Sequence, residues 1–205
     1  MSQNASIRFF DEHFQHQIAG QAHTLNPFEV AALPHIRGKV LDYGCGIGNL
    51  TVAAARRGCP VFALDGSHAA IEHLRDLATL EGLPIVAEEA DLQEHEVADD
   101  FDSVVCIGLL MFFDCLTAYR KLQELLSHVR PGGVVILNVL TEGTTYMDMF
   151  SPEGHCLFQP EELRQRFTGW HILSLQHQEF PAPSDTRKVF LTIIANKPAA
   201  LCADV

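Results

Sequence analysis

The sequence is short of positive charge, of long apolar runs and of metal-ligand spacing, and each shortage removes a class of function. Lys and Arg number 14 against 26 Asp and Glu, a formal net charge of −12. Nucleic-acid affinity comes largely from basic side chains that neutralise backbone phosphates, so no DNA, RNA or ribosome partner is expected. Nowhere do about eighteen apolar residues run together, the length needed to span a bilayer. The opening Met1-Ser2-Gln3-Asn4-Ala5-Ser6 has no basic region leading into an apolar stretch, so a cytoplasmic protein with no membrane partner is expected. The six cysteines, at 45, 59, 106, 115, 156 and 202, form no C-x-x-C pair, and they read as reduced, mostly structural thiols. The eleven histidines are scattered, with His13 and His16 the closest pair. No metal site is expected from that spacing.

What is present is a globular composition, 47% hydrophobic and 20% charged over 205 residues, enough for one well-packed α/β domain. The most informative stretch is Lys39 to Asn49, an apolar run that ends in Asp42 and breaks into Gly44, Gly46 and Gly48. It reads as a buried strand and a tight loop, in which residues without a Cβ take positive φ and let a ligand lie against the main chain. Leu50 to Arg57 is rich in helix formers and stops at Gly58, as a helix with a C-terminal glycine cap should. The dinucleotide fingerprint G-x-G-x-x-G wants its third glycine where Asn49 stands, which weakens a nicotinamide oxidoreductase. An acid before a loop of free main-chain N–H and C=O groups instead suits an amino-acid end, with an ammonium and a carboxylate to satisfy. Taken alone, Asp42 could also be a strand-end acid bonding its own turn.

The unit then repeats. Pro60 to Asp65 is a second strand ending in an acid, and Ser67 opens a helix as its N-cap. Asp65 is placed to accept bonds from both hydroxyls of a ribose. Ile71, Leu74 and Leu77 line that helix, Gly82 ends it, and Pro84 to Ala87 is the third strand, followed by a turn with Asp91-Leu92. The fourth strand, Phe101 to Ile107, leads into Gly108 to Phe113 at its carboxyl end, where open parallel sheets bind ligands. Met111, Phe112 and Phe113 read either as an apolar wall there or as plain core. A helix from Leu116 to Val129 runs into the turn Arg130-Pro131-Gly132-Gly133 and a fifth strand, Val134 to Leu140. Residues 141–159 have no sustained periodicity, and loops of that length inside a domain are usually functional. A short helix from Pro160 to Phe167 follows, then strands at Trp170 to Leu175 and Val189 to Ala195 that suggest an antiparallel hairpin at one sheet edge. Near the start, Ile7, Phe10, Phe14 and Ile18 fall at helical spacing, and the polar face of that helix either meets solvent or leans over the ligand as a lid.

Asp42-x-Gly44-x-Gly46-x-Gly48, with Asp65, Asp91-Leu92 and Arg130-Pro131-Gly132-Gly133, resembles the class I methyltransferases that bind S-adenosylmethionine. Leu110-Met111-Phe112-Phe113 and Phe158-Gln159-Pro160-Glu161-Glu162-Leu163, with Phe167 and Trp170, are similar to the small tellurite-resistance methyltransferases of the TehB type. The resemblance covers roughly residues 40–197 and implies a Rossmann-like three-layer sandwich: a seven-stranded, mostly parallel sheet with a C-terminal antiparallel hairpin. It divides the chain into an N-terminal helical lid or cap (1–38), a methyltransferase domain (39–197) and a short tail (198–205). It implies S-adenosylmethionine as cofactor, with S-adenosylhomocysteine as product, held by Asp42, Gly44, Cys45, Gly46, Gly48, Asp65, Gly66, Asp91, Leu92, Cys106 and Ile107. The implied acceptor is a small soft or anionic nucleophile such as tellurite, selenite or a thiol-like compound, acted on by a monomer or homodimer. The Asn/Asp-Pro-Pro-aromatic loop of adenine and amide N-methyltransferases is missing after the fourth strand. No residue stands out as a general base; His13, Tyr146, His155 and Arg187 are the candidates for a catalytic role. The alternatives are methylation of an amine, carboxylate or hydroxyl metabolite, and a non-catalytic cofactor sensor.

Overall fold

The protein was analysed as a computed structural model that describes Phe14, residues 24–150 and residues 154–199. Helix α1 (Pro27–Ala32) is set by Asn26, whose side chain accepts from the N–H groups of Phe28 and Glu29, while Pro27 supplies the fixed φ of a first turn. Strand β1 (Val40–Tyr43) is buried at all four positions and leads through the glycine loop to α2 (Asn49–Arg56). Strand β2 (Val61–Asp65) follows, and α3 (His68–Glu81) starts at Ser67, whose hydroxyl accepts from the Ala70 N–H, and stops at Gly82 in the left-handed region. Strands β3 (Ile85–Glu89) and β4 (Phe101–Ile107) come next. A 3-10 turn at Leu110–Phe112 precedes α4 (Cys115–Ser127), which Asp114 caps. Strand β5 (Val129–Leu140), α5 (Pro160–Gln165) and the pair β6 (His171–Ala182) and β7 (Thr186–Asn196) complete the described elements.

The sheet order is β3-β2-β1-β4-β5-β7-β6, with β1 to β5 parallel and β7 antiparallel to both its neighbours. Side chains alternate faces along a strand, so β5 sends Val134 and Ile136 into a layer with α1, α2 and α3, and Val135, Leu137 and Val139 into a layer with α4 and α5. Helices thus cover both faces, and the three-layer mixed architecture expected from the sequence is the one observed. The order reverses between β1 and β4, which opens a crevice at their carboxyl ends.

Two sequence expectations change, and one cannot be compared. The Arg130-Pro131-Gly132-Gly133 turn is absorbed into β5, where pairing with β4 jumps from Phe101↔Val129 to Ser103↔Val134. The extra residues bulge out, with Gly132 at φ 76°. The amphipathic N-terminal helix lies outside the described residues except for Phe14, as do His13 and most of the C-terminal tail. Finally, the reduced-thiol reading fails at one pair: Cys115 and Cys156 form a disulfide, with Cα atoms 4.7 Å apart. Cys156 donates its N–H to the Met111 carbonyl, so the long segment after β5 folds back onto the start of α4 and brings together two residues that are 41 apart in sequence. Cys45, Cys59 and Cys106 are free and buried. No helix among the described residues is long and apolar enough to cross a membrane.

Closing a loop of that length restricts the unfolded chain, so replacing both Cys115 and Cys156 by Ala is expected to lower stability by roughly 2 to 4 kcal/mol. The check is the urea midpoint with and without a dithiol reductant: reductant should shift the wild type and leave the double variant unmoved.

Candidate functional site

The crevice holds a cavity of about 380 Å³ between the glycine loop, the tips of β2 and β4, and the chain before α1. Its floor exists because of the glycines. Gly44 sits at φ 87°, and a Cβ there would lie 2.9 Å from the Leu109 side chain; one on Gly46, at φ 53°, would lie 3.1 Å from the Phe14 ring. Leu109 and Phe14 therefore press directly on bare backbone, and both line the cavity. Gly48 is different: it is turned away, and a Cβ would meet Leu74 of α3 at 2.6 Å. It packs α2 against α3 and does not line the cavity.

The loop is lashed to β2. Gly44 and Cys45 both donate to the Leu64 carbonyl at 2.8 and 3.0 Å, and Gly48 donates to the Cys45 carbonyl at 3.0 Å. Gly46 donates to Asp65 Oδ2 at 2.8 Å, while Asp65 Oδ1 accepts from the Ser67 N–H at 2.9 Å. The expected loop of free N–H groups is thus corrected, because these four are spent on holding the loop's shape.

Asp42, near the end of β1, is 5% exposed, and Thr51 of α2 donates to its Oδ2 at 2.6 Å. Burial pushes its pKa up to about 7 against the Thr51 bond, and the negative charges of Glu29 and Asp65 add to the rise. Burial likewise raises Glu29, partly offset by the Asn26 N–H. The thiols of Cys45 and Cys106 are also pushed up by burial, so both stay protonated. Asp91 begins a turn in which its Oδ1 accepts from the Gln93 N–H, and the turn is pinned from below by Tyr43, whose hydroxyl donates to the Leu92 carbonyl at 2.6 Å. Lys121 of α4, fully buried, holds the same connection through the His95 carbonyl and Glu124.

Of the expected cofactor residues, Asp42, Gly44, Cys45, Gly46, Asp65, Gly66, Asp91, Leu92 and Ile107 line this one cavity, whereas Gly48 and Cys106 do not. Cys106 lies inside β4 at 1% exposure. The described catalytic candidates are elsewhere. His155 stacks on Phe150, which in turn packs on the cavity residue Phe112. Tyr146 faces the Lys188 ammonium at 4.9 Å, and Arg187 Nε donates to the Gly143 carbonyl. Sequence reasoning missed Glu29 and Asn26 at the cavity rim, although Asn26-Pro27-Phe28-Glu29 carries a capping-box signature.

Charge sets the chemistry. Four acids, Glu29, Asp42, Asp65 and Asp91, line the cavity, and among the described lining residues there is no Lys, Arg or His. Such a wall repels phosphates and favours a ligand bearing positive charge. Ile107, Leu109, Phe112 and Phe113 supply an apolar side. No group of three or more His, Cys, Asp or Glu among the described residues is placed to hold a metal ion.

Residues 40–133 match a protein family described as a methyltransferase domain. The chain is 28% identical over 166 residues to Hemagglutinin 1 of Eikenella corrodens, covering 78% of this chain and 55% of that protein. It is 29% identical over 138 residues to the carboxy-S-adenosyl-L-methionine synthase of Vibrio atlanticus (strain LGP32), covering 63% and 56%. It thus spans little more than half the length of these curated relatives. Among solved structures, TehB from Haemophilus influenzae superposes with a TM-score of 0.69 at 20% identity, over 84% of this chain and 62% of that one. A protein solved in work on conversion of a disulfide bond into a thioacetal group during echinomycin biosynthesis superposes with a TM-score of 0.60 at 26% identity, over 84% and 82%.

The Asp42 shift has a testable sign. The folded carboxyl keeps its proton up to about pH 7, whereas the ordinary value is 3.8, so between these values the folded state binds more protons. Without ligand, stability should therefore fall as pH rises from about 4 to about 7, by at most about 4 kcal/mol. Urea titrations across that range should show the fall in wild type and its loss in Asp42→Asn; equal slopes would refute the assignment.

Proposed function

We propose that this chain, whose residues 40–133 match a methyltransferase domain, transfers a methyl group from S-adenosylmethionine to a small soft nucleophile of the thiol type. The observation that carries the reading is the cavity wall: a glycine loop ringed by carboxylates, with no basic side chain among the described lining residues. The residues present fit the cofactor. Asp42 is a buried acid whose ionised form needs a cation beside it, and the ammonium of an amino-acid end is one. Asp65 stands at the end of β2 in the cavity lining, where a carboxylate can accept from ribose hydroxyls. Asp91 and Leu92 stand where an adenine edge would be met, as the family resemblance implies.

When bound, S-adenosylmethionine supplies an electrophilic methyl group on a sulfonium. The chain's own work is to position and to dry the site. Leu109, Phe112 and Phe113 exclude water on the side where an acceptor must approach, and fixed alignment of two reactants is worth several kcal/mol of barrier. A thiol would enter uncharged and give up its proton to solvent as it is methylated, which asks for no dedicated base, and neither His155 nor Tyr146 is among the residues lining the cavity.

The acceptor is the finer part of the proposal. Tellurite or selenite would enter an acidic cavity with no cationic partner, because Arg187 and Lys188 are engaged outside it. That argues for a sulfur nucleophile over an oxyanion. The echinomycin protein, 26% identical, belongs to a sulfur-directed conversion, which supports the same choice.

The experiment measures S-adenosylhomocysteine release with small thiols, amines, selenite and tellurite offered separately. Turnover on thiols with none on the oxyanions is expected; turnover on the oxyanions alone would overturn the acceptor assignment, and silence with every acceptor would overturn the enzyme reading. Asp65→Ala, which loses both a ribose acceptor and a loop anchor, is expected to weaken cofactor binding at least about tenfold.

A further inference from the structure

We propose that Glu29 binds the cofactor directly, its carboxylate sharing with Asp42 the ammonium at the amino-acid end of S-adenosylmethionine. The inference rests on the reading above and assigns a residue outside the strand-tip motifs of that reading.

Glu29 does two things at once. Its Oε2 accepts the Asn26 N–H at 2.7 Å, completing a reciprocal cap with the Asn26 side chain. Its Oε1 makes no hydrogen bond or ion pair to any described residue, although the side chain lines the cavity. A capping box is satisfied as well by Gln as by Glu. The negative charge is therefore surplus to the cap, and it is held at a cost, since the group is partly withdrawn from water.

The position of that charge is fixed. Helix α1 is seated by Ala32 in the same apolar layer as Leu50 and Val52 of α2. Asn49, the first residue of α2, donates to the Thr24 carbonyl at 3.3 Å, which ties the approach to α1 to the end of the glycine loop. Glu29 thus faces the same cavity as Asp42, and its charge is felt at that carboxyl. Two acids that line one cavity, with no basic side chain among its described residues, can both be ionised only with a cation between them; without one, Asp42 keeps its proton. An ammonium has three donors and can serve both. A sulfonium could balance charge but has no N–H to give to Oε1, so the ammonium is the better match.

The test uses the whole chain and two ligands, S-adenosylhomocysteine and 5′-methylthioadenosine, which lacks the amino-acid end. Glu29→Gln keeps the cap and removes the charge. By titration calorimetry this variant is expected to bind S-adenosylhomocysteine roughly ten- to a hundredfold more weakly than wild type, to bind 5′-methylthioadenosine with unchanged affinity, and to melt no lower without ligand. Wild-type affinity of Glu29→Gln for S-adenosylhomocysteine, or an equal loss with both ligands, overturns the proposal. Failure of the wild-type chain to bind S-adenosylhomocysteine would instead remove the cofactor reading on which the proposal stands. Glu29→Ala, which loses cap and charge together, should show the same ligand split and, unlike Glu29→Gln, a lower melting temperature.

Discussion

The glycine loop keeps its shape because the end of β2 grips it. Two consecutive N–H groups converge on the Leu64 carbonyl, and a third reaches the Asp65 carboxylate, which also holds the N–H of Ser67 at the start of α3. One side chain thus joins the loop after β1 to the helix after β2, across these two neighbouring strands. Part of the cavity wall depends on that junction: Leu109 and Phe14 rest on the backbone of the loop it holds, and Asp42, just before the loop, is buried and bonded by Thr51. The positive φ values of Gly44 and Gly46 are the geometric condition for this grip, since a side chain at either would displace what lies on top.

The electrostatic consequence is a cavity whose acids are held by geometry rather than by counter-charges. Elsewhere the chain pairs its acids conventionally, Asp102 with Arg130 and Glu81 with Arg56. Burial of Asp42 and Glu29 without basic neighbours is a standing destabilisation, and such costs are retained where function returns them. On the proposed reading the ligand's ammonium supplies the missing ion-pair partner, and binding and charge neutralisation become one event.

How much of this was legible depended on whether the signal was local. The strand-loop-helix unit, the acid at each strand tip, and the caps at Ser67 and Gly82 are local, and each stands in the structure where its spacing put it. The buried strands β4 and β5 were legible as continuous apolar runs, although the bulge at Arg130–Gly133 was not, because a turn and a bulge share the same Pro-Gly composition. The pairing of Cys115 with Cys156 depends on how the segment after β5 returns, and no spacing rule encodes that. Gly48 carried a ligand-binding signature yet answers to Leu74 on a neighbouring helix. His155 and Tyr146 were candidates as polar groups on segments that could reach the cavity, and the contacts that engage them instead, Phe150 for His155 and Lys188 for Tyr146, are tertiary. Glu29 was legible as a cap, but its second face appears only when α1 is packed against the loop.

The sheet order has a bearing on synthesis. Strand β7 lies inside the sheet, between β5 and β6, although it follows both in the chain. Until residues 186–196 leave the ribosome, β5 presents an unpaired edge from Val134 to Leu140, a run that is buried throughout in the finished fold. Nor can β6 shield it, because its only partner in the sheet is β7. While residues 141–196 are being made, the nascent polypeptide therefore carries an unpaired apolar edge, and a ribosome stalled shortly before residue 186 would release a ready substrate for chaperones and proteases.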